Sequence, residues 1–466
     1  MVSCGGSEET ATPVNDGAAH VSSPLTAAST RADARRRRHG TGGASTGAGG
    51  TTGAGGAKST GGTTTGAGGT TGAGGAKSTG GTTTGAGGTT GAGGAGSGSG
   101  GKSSSGGAVG SGGQLGTGGA TQFATLPYRG VSLAGAEFGA SLGGTFDGNT
   151  LGSIPGDYYY PDKDWVDEDN YPGGYGKNAF PLLRSKGMNI FRLPFRWERL
   201  QRSVNAAFNA TEFADLKQTV SDMEASGAFV LLDVHNYIRY ATAQEITTGA
   251  LADTVGSAAL PNAAFGDLWR RLADQYKSDP HVLFGLMNEP FGIDDPNQWL
   301  NAANAAVAAI RSTGATNLIL IGGNEFEDAA TWVQNSDVLK NIQDPANNFA
   351  FEVHVYPDTN KDGSGDTCPD TSSGPKQLQP FTDWARAHKF RGFLGEFSAG
   401  TDIQANANCL TAIDNELAHL ENNTDVYIGW TYWAGGQGFG TDNPIEYTIV
   451  NKTNSPQMNT LVKHLK

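Results

Sequence analysis

From about residue 126 onward, short apolar runs rich in β-branched and aromatic side chains alternate with longer stretches of helical period, eight times in succession. This alternation constrains the fold more than any other feature of the 466-residue chain. The runs stand near 128–134 (YRGVSLA), 188–194 (MNIFRLP), 228–234 (AFVLLDV), 282–287 (VLFGLM), 317–322 (NLILIG), 349–355 (FAFEVHV), 391–397 (RGFLGEF) and 426–432 (VYIGWTY). Such runs, separated by helical patterns, predict a parallel sheet. The helical patterns include 212–226, 262–278, 297–313, 376–389 and 408–422, with a last one near 456–465, and Gly227 and Asp279-Pro280 stop two of them. An open doubly wound sheet uses the same alternation. Eight units in the segment 121–466 favour closure, so the spacing predicts an α/β fold, the (β/α)₈ TIM barrel.

The preceding third cannot extend that core. Residues 40–119 hold 37 of the chain's 72 glycines among Thr, Ser and Ala, and the block at 51–69 recurs without change at 70–88. Solenoid repeats stack through apolar side chains, which this block lacks. Without them the segment cannot offset the entropy of ordering its backbone. It reads as a disordered linker over 40–120, preceded by an arm at 1–39. Eighty such residues span roughly 50 Å end to end as a flexible coil. Arg35–Arg38 reads as a solvated basic cluster in the arm.

Charge narrows the partners. The whole chain carries −13, and beyond residue 120 there are 24 Lys and Arg against 41 Asp and Glu, so nucleic acid is a poor partner for the folded part. Nothing in the sequence reaches 18 consecutive apolar residues, and no transmembrane segment is expected. The start shows no intact signal peptide. Val2-Ser3-Cys4-Gly5 does resemble the end of a bacterial lipoprotein cleavage site, whose cysteine becomes lipidated. That resemblance leads one to expect a secreted or extracellular chain, with Cys4 as the lipid anchor.

In a barrel of this kind the chemistry sits at the C-terminal ends of the strands. Here those ends deliver, in order, Glu137, Arg192, His235 with Asn236, Asn288 with Glu289, Asn324, His354 with Tyr356, Glu396, and Trp433. Singly each has a plain reading: His354 as a core histidine, Arg192 as a structural ion pair. Together they suit a retaining glycosidase, which needs two carboxyl groups about 5 Å apart, one as acid/base and one as nucleophile. An inward Arg192 would hold Glu396 ionised, and the Tyr356 hydroxyl would donate to the same carboxylate. Glu289 has no evident cation beside it in sequence and is the better proton donor. Asn288 is placed for a sugar 2-hydroxyl, and Trp433 offers a stacking face.

The segments Phe191-Arg192-Leu193-Pro194, Asp233-Val234-His235-Asn236-Tyr237, Asn288-Glu289-Pro290, His354-Val355-Tyr356 and Gly395-Glu396-Phe397 resemble the motif series of glycoside hydrolase family 5, in the order and spacing of its endo-β-1,4-glucanases, the cellulases. The resemblance covers essentially all of 121–466. It implies Glu289 as acid/base and Glu396 as nucleophile, with Arg192, His235, Asn288, His354, Tyr356 and Trp433 shaping the subsite where the bond breaks. Glu137-Phe138-Gly139 and the late cysteine pair look most like the subgroup of secreted fungal endoglucanases. The implied partner is a β-glucan, cut by a monomer without a cofactor. Two departures stand out: the long aromatic stretch 143–172, and Phe326 where the family pattern leads one to expect Trp. A related mannanase, xyloglucanase or mixed-linkage glucanase would use the same residues. A non-catalytic carbohydrate-binding protein would not need the set.

Some motifs read as decoys. Cys368 and Cys409 are expected to pair in an exported protein, closing a loop that contributes on the order of 2–4 kcal/mol; a metal site there lacks further ligands. The run Asp358 to Asp366 resembles a calcium loop, but Pro369 stands where the bidentate Glu belongs, so no metal is expected. Gly436, Gly438 and Gly440 read as a loop flanking the sugar site rather than a phosphate cradle. Trp269, Trp299 and Trp384 read as core; Trp165 and Trp197 serve equally as sugar platforms or packing.

Overall fold

The computed structural model describes residues 125–137, 160–162, 176–241, 253–400, 406–436, 439 and 442–466. The expectations for 1–120, for most of 143–172 with Trp165, and for Gly438 and Gly440 lie outside the described residues.

Eight parallel strands close into a barrel, each pairing with its sequence neighbours and the last with the first. They are β1 (Tyr128–Leu133), β2 (Ile190–Phe195), β3 (Phe229–Val234), β4 (Val282–Gly285), β5 (Ile319–Gly322), β6 (Phe349–His354), β7 (Gly392–Glu396) and β8 (Tyr427–Gly435). The eight expected runs are thus the eight barrel strands, with ends differing by at most three residues. The crossover helices used below are α1 (Ala210–Ala225), α2 (Asn262–Tyr276), α3 (Pro296–Ser312), α4 (Ser373–His388) and α5 (Ala407–Glu421). Asn209 caps α1 by accepting from the backbone N–H groups of Thr211 and Glu212, and Asp295 caps α3 ahead of Pro296. Sequence reading missed the shorter helices at Ala179–Ser185 and Pro444–Asn451, too brief to show a period.

Two apolar layers result from the strict alternation of strand side chains. Ile190, Leu231, Leu283, Leu320, Ala350, Phe393 and Ile428 fill the barrel's floor. The larger layer, including Phe191, Leu232, Phe284, Phe351, Trp269, Trp299 and Trp332, packs between strands and helices. Trp269, Trp299 and Trp384 are core, as expected. Trp197 is also fully buried and donates through Nε1 to Gln201, so it is packing rather than a platform. Cys368 and Cys409 form a disulfide that ties the loop after β6 to the start of α5.

Moving two residues up from the floor on β2, β3 and β6 reaches Arg192, Asp233 and Glu352. The barrel's upper half is therefore lined with charge. Where β7 follows β6 the register slips by one residue between Val353 and His354, so His354 pairs with Glu396. That irregularity brings Glu396 to the mouth although Leu394 packs in the outer layer.

Candidate active site

Arg192 is fully buried and organises the mouth. Its guanidinium lies 2.8 Å from Glu396 Oε1, 3.1 Å from Asp233 and 3.3 Å from Glu352, and donates to Asn288 Oδ1 at 2.6 Å. Burial alone would lower its pKa, but the surrounding carboxylates raise it instead, so it is a permanent cation.

Glu396 receives the Tyr356 hydroxyl at 2.6 Å on its other oxygen. Burial pushes its carboxyl upward; the charges of His354 and Arg192 outweigh that and hold it below the usual carboxylate range. Glu289 is 3% exposed and sits across the mouth, with Oε1 at 2.9 Å from His354 Nδ1. One oxygen from each glutamate and this imidazole nitrogen all lie within 4.8 Å of one another. The expectation that Glu289 has no cation beside it is thus corrected: β6 supplies His354 from 65 residues away in sequence.

His354 is the hub between the two glutamates. Its Nδ1 lies 3.6 Å from Glu396, while Nε2 lies 3.2 Å from Glu327 and 3.7 Å from Glu352. Burial disfavours the imidazolium, but this ring of carboxylates more than compensates and raises its pKa well above the usual histidine value. His235 is the opposite case. Burial drives it down to about 3, so the ring is neutral, donates through Nδ1 to Asp233 at 2.9 Å, and leaves Nε2 for Asn288 Nδ2 at 3.2 Å. Burial in turn lifts Asp233 to about 7, against the pull of Arg192. The half-buried Trp433 stacks on His235 with centroids 5.4 Å apart, and its peptide bond to Ala434 is cis.

Other expected residues lie outside this network. Asn236 is spent on scaffolding: it accepts from the Trp197 backbone N–H and donates to Glu198. Asn324 is bound to Ser336 and to the Asn335 carbonyl. Glu137 accepts from the Gly135 backbone N–H, and burial lifts its carboxyl to about 8. Phe326 lies flat on Phe291 at 4.5 Å, on whose ring the Arg239 guanidinium also packs at 4.2 Å. The Asp358 carboxylate caps the backbone N–H groups of Asn360, Gly363 and Gly365, so the calcium-like run is a loop built around one aspartate.

Sequence reasoning missed Glu327, Glu352 and Asp233 as site residues. Asp233 and Glu352 carry a usable signal, since each stands two residues before an expected histidine on the same strand and shares its face. Glu327 has no such signal. It comes from a turn in which Glu325, Phe326 and Glu327 all have positive φ, though none is Gly or Asn. Each such residue costs about 1–2 kcal/mol. The turn is held because Glu327 accepts the Glu289 N–H at 2.7 Å while its carbonyl accepts the His354 N–H at 2.9 Å. Gly322 and Gly395 make the room: a Cβ at the first would strike the Glu327 carboxylate, and at the second that of Glu352.

Comparison with known proteins identifies the family and the fold. Residues 163–436 match the family described as cellulase (glycosyl hydrolase family 5). The endo-beta-1,4-glucanase B of Aspergillus niger is 31% identical over 326 residues, which cover 70% of this chain and 86% of that protein. A solved endo-beta-1,4-glucanase from Xanthomonas axonopodis pv. citri superposes with a TM-score of 0.61 at 34% identity, covering 73% of this chain and 98% of that one. The Pseudomonas stutzeri endoglucanase Cel5A, solved with cellobiose, gives a TM-score of 0.59 at 30% identity, over 73% of this chain and 92% of that one.

Proposed function

The chain belongs to glycosyl hydrolase family 5, and from that premise we propose that it cuts internal β-1,4-glucosidic bonds of cellulose or soluble β-glucans by double displacement, with Glu396 as nucleophile and Glu289 as acid/base. It is a glycoside hydrolase of the endo-β-1,4-glucanase type. The observation that carries the residue assignment is the pairing of Glu396 with Arg192 and Tyr356 while Glu289 faces it across His354. The approach within 4.8 Å is nearer the roughly 5 Å separation of retaining enzymes than the roughly 6.5–9.5 Å of inverting ones, which supports retention.

In the first step Glu396 Oε attacks the anomeric carbon while Glu289 passes its proton to the departing glycosidic oxygen, leaving a glycosyl ester on Glu396. In the second, Glu289, now a carboxylate, takes a proton from water as that water attacks the same carbon and frees Glu396. Negative charge leaves Glu396 as the ester forms, so Arg192 and Tyr356 balance nucleophilicity against leaving ability. The second N–H of Asn288 Nδ2 is available to a sugar 2-hydroxyl, since the His235 ring occupies one donor. Trp433, held on one side by His235, presents its indole for a pyranose.

The catalytic domain, residues 121–466, acts as a monomer. An extracellular setting fits the buried disulfide, and among the described residues no helix is long and apolar enough to cross a membrane. Anchoring through a lipidated Cys4 would hold the domain on a tether near its insoluble substrate. Labelled palmitate incorporated by the wild type but not by Cys4→Ala checks this point.

Viscosity and reducing-sugar release from carboxymethylcellulose, with β-mannan and xyloglucan alongside, test the substrate. A rapid viscosity drop on the cellulose derivative, lost in Glu289→Gln, is expected. Principal activity on mannan or xyloglucan would overturn the glucan assignment and leave the two glutamates standing.

A further inference from the structure

The catalytic mouth is not the only place where metal-ligating groups converge. At the opposite end of the barrel, α1 ends beside the loop that carries α2 into β4, and the two contribute Glu224, Asp279 and His281. One ligand atom from each lies within 4.8 Å of the others. We propose that Glu224, Asp279 and His281 form a divalent-cation site, suited to zinc or manganese, that clips α1 to the α2–β4 loop beneath the barrel. In the sequence Asp279-Pro280 served only as a helix stop, and 55 residues separate Glu224 from its partner aspartate, so spacing gives no hint of the cluster.

Three features of the place support a bound cation. The Glu224 and Asp279 carboxyl groups are within hydrogen-bonding reach of each other, an arrangement that needs either a shared proton or a cation between them. The Tyr276 hydroxyl beside them is buried at 5% residual exposure and has no hydrogen-bond partner among the described residues. The charged groups that act on it are those same two carboxylates. A water or ion between the three groups would satisfy it. The scaffold is also fixed in advance. Asn317 Nδ2 binds the carbonyls of Tyr276, Asp279 and Val282, and the His281 N–H donates to Asp279 Oδ1 at 3.0 Å.

Ligand chemistry selects the class of ion. An imidazole with two carboxylates favours zinc or manganese over calcium, which takes oxygen ligands only. Zinc bonds of about 2.0–2.2 Å put neighbouring ligands closer than the present spacing. The His281 side chain is 57% exposed and free to swing the remaining distance. Three protein ligands leave a fourth position for water. The site lies far from the carboxylate pair at the strand C-termini, so its role is to hold two αβ loops together, as befits that face of the barrel.

The test is calorimetric titration of the full chain with ZnCl₂ and, separately, MnCl₂, with thermal melting in parallel. The wild type is compared with Asp279→Asn and with the double variant Glu224→Gln/His281→Ala. The proposal expects one ion per chain that both variants fail to bind, and a melting midpoint raised by about 2 °C or more at saturation in the wild type alone. Hydrolysis of carboxymethylcellulose without added metal should be equal in all three proteins, which shows that the variants fold. If the double variant takes up the ion as the wild type does, or the wild type takes up none, the proposal fails. The first of those results would move the ion to the His354 cluster.

Discussion

Arg192 illustrates how much one side chain can decide. A guanidinium enclosed with Asp233, Glu352 and Glu396 all within 3.3 Å stays charged, and its fork reaches Asn288 as well. Lysine carries the same charge at a single point and cannot reach all four partners. Arg192→Lys should therefore lower kcat by a factor of at least ~10² through the displaced nucleophile. It should also move the acidic limb of the kcat/KM profile upward, because Glu396 loses part of what holds its carboxyl low. Tyr356→Phe removes one donor from the same carboxylate and should shift that limb in the same direction by less. pH–rate profiles of both variants check this, and an unmoved acidic limb would contradict the roles given to Arg192 and Tyr356. The glutamates and Arg192 were legible in the sequence because strand ends and motifs mark them. Glu327 was not, since a left-handed turn free of Gly and Asn leaves no compositional trace. Asn324 shows what strand-end position alone does not fix: a polar residue there can turn back onto its own loop, as its bond to the Asn335 carbonyl does.

The helices hold a different anomaly. Glu416 on α5 is fully buried, and neither carboxyl oxygen has a hydrogen-bond partner among the described residues. Burial drives its pKa well above the ordinary value. Folding therefore takes up a proton wherever the pH exceeds the unfolded pKa of about 4.3, and stability falls as pH rises from there toward the folded pKa. A methionine of similar length needs no proton. Glu416→Met should melt close to the wild type at pH 4 and clearly above it at pH 8, as differential scanning calorimetry at the two values would reveal; a constant difference would contradict the buried-acid account. The Cys368–Cys409 disulfide ties the start of α5 to the loop after β6, and replacing both by Ala should cost on the order of 2–4 kcal/mol, read from chemical denaturation. Elements longer than about ten residues were readable from periodicity to within three residues. The helices at Ala179–Ser185 and Pro444–Asn451 were not, because about two turns give too few repeats to establish a period. The slip between β6 and β7 that turns Glu396 inward was equally hidden, since alternation alone puts Leu394 and Glu396 on one face.

On the scale of the whole molecule, closure of the sheet does the assembling. Glu289 and Glu396 are 107 positions apart in sequence, and only a closed ring of parallel strands brings both, with Arg192 and His354, to one mouth. All eight strands of the closed barrel lie beyond residue 127, so removing residues 1–120 should leave kcat/KM on soluble carboxymethylcellulose within about twofold of the full chain. A larger loss in the truncated enzyme would give the region a role beyond tethering. The account as a whole depends on which glutamate attacks the sugar. A 2-deoxy-2-fluoro-cellobioside with a good leaving group, followed by peptide mapping of the trapped enzyme, answers that directly: the account predicts one glycosyl ester, on Glu396. An ester on Glu289, or no covalent adduct together with an inverted anomer in the product, would contradict it.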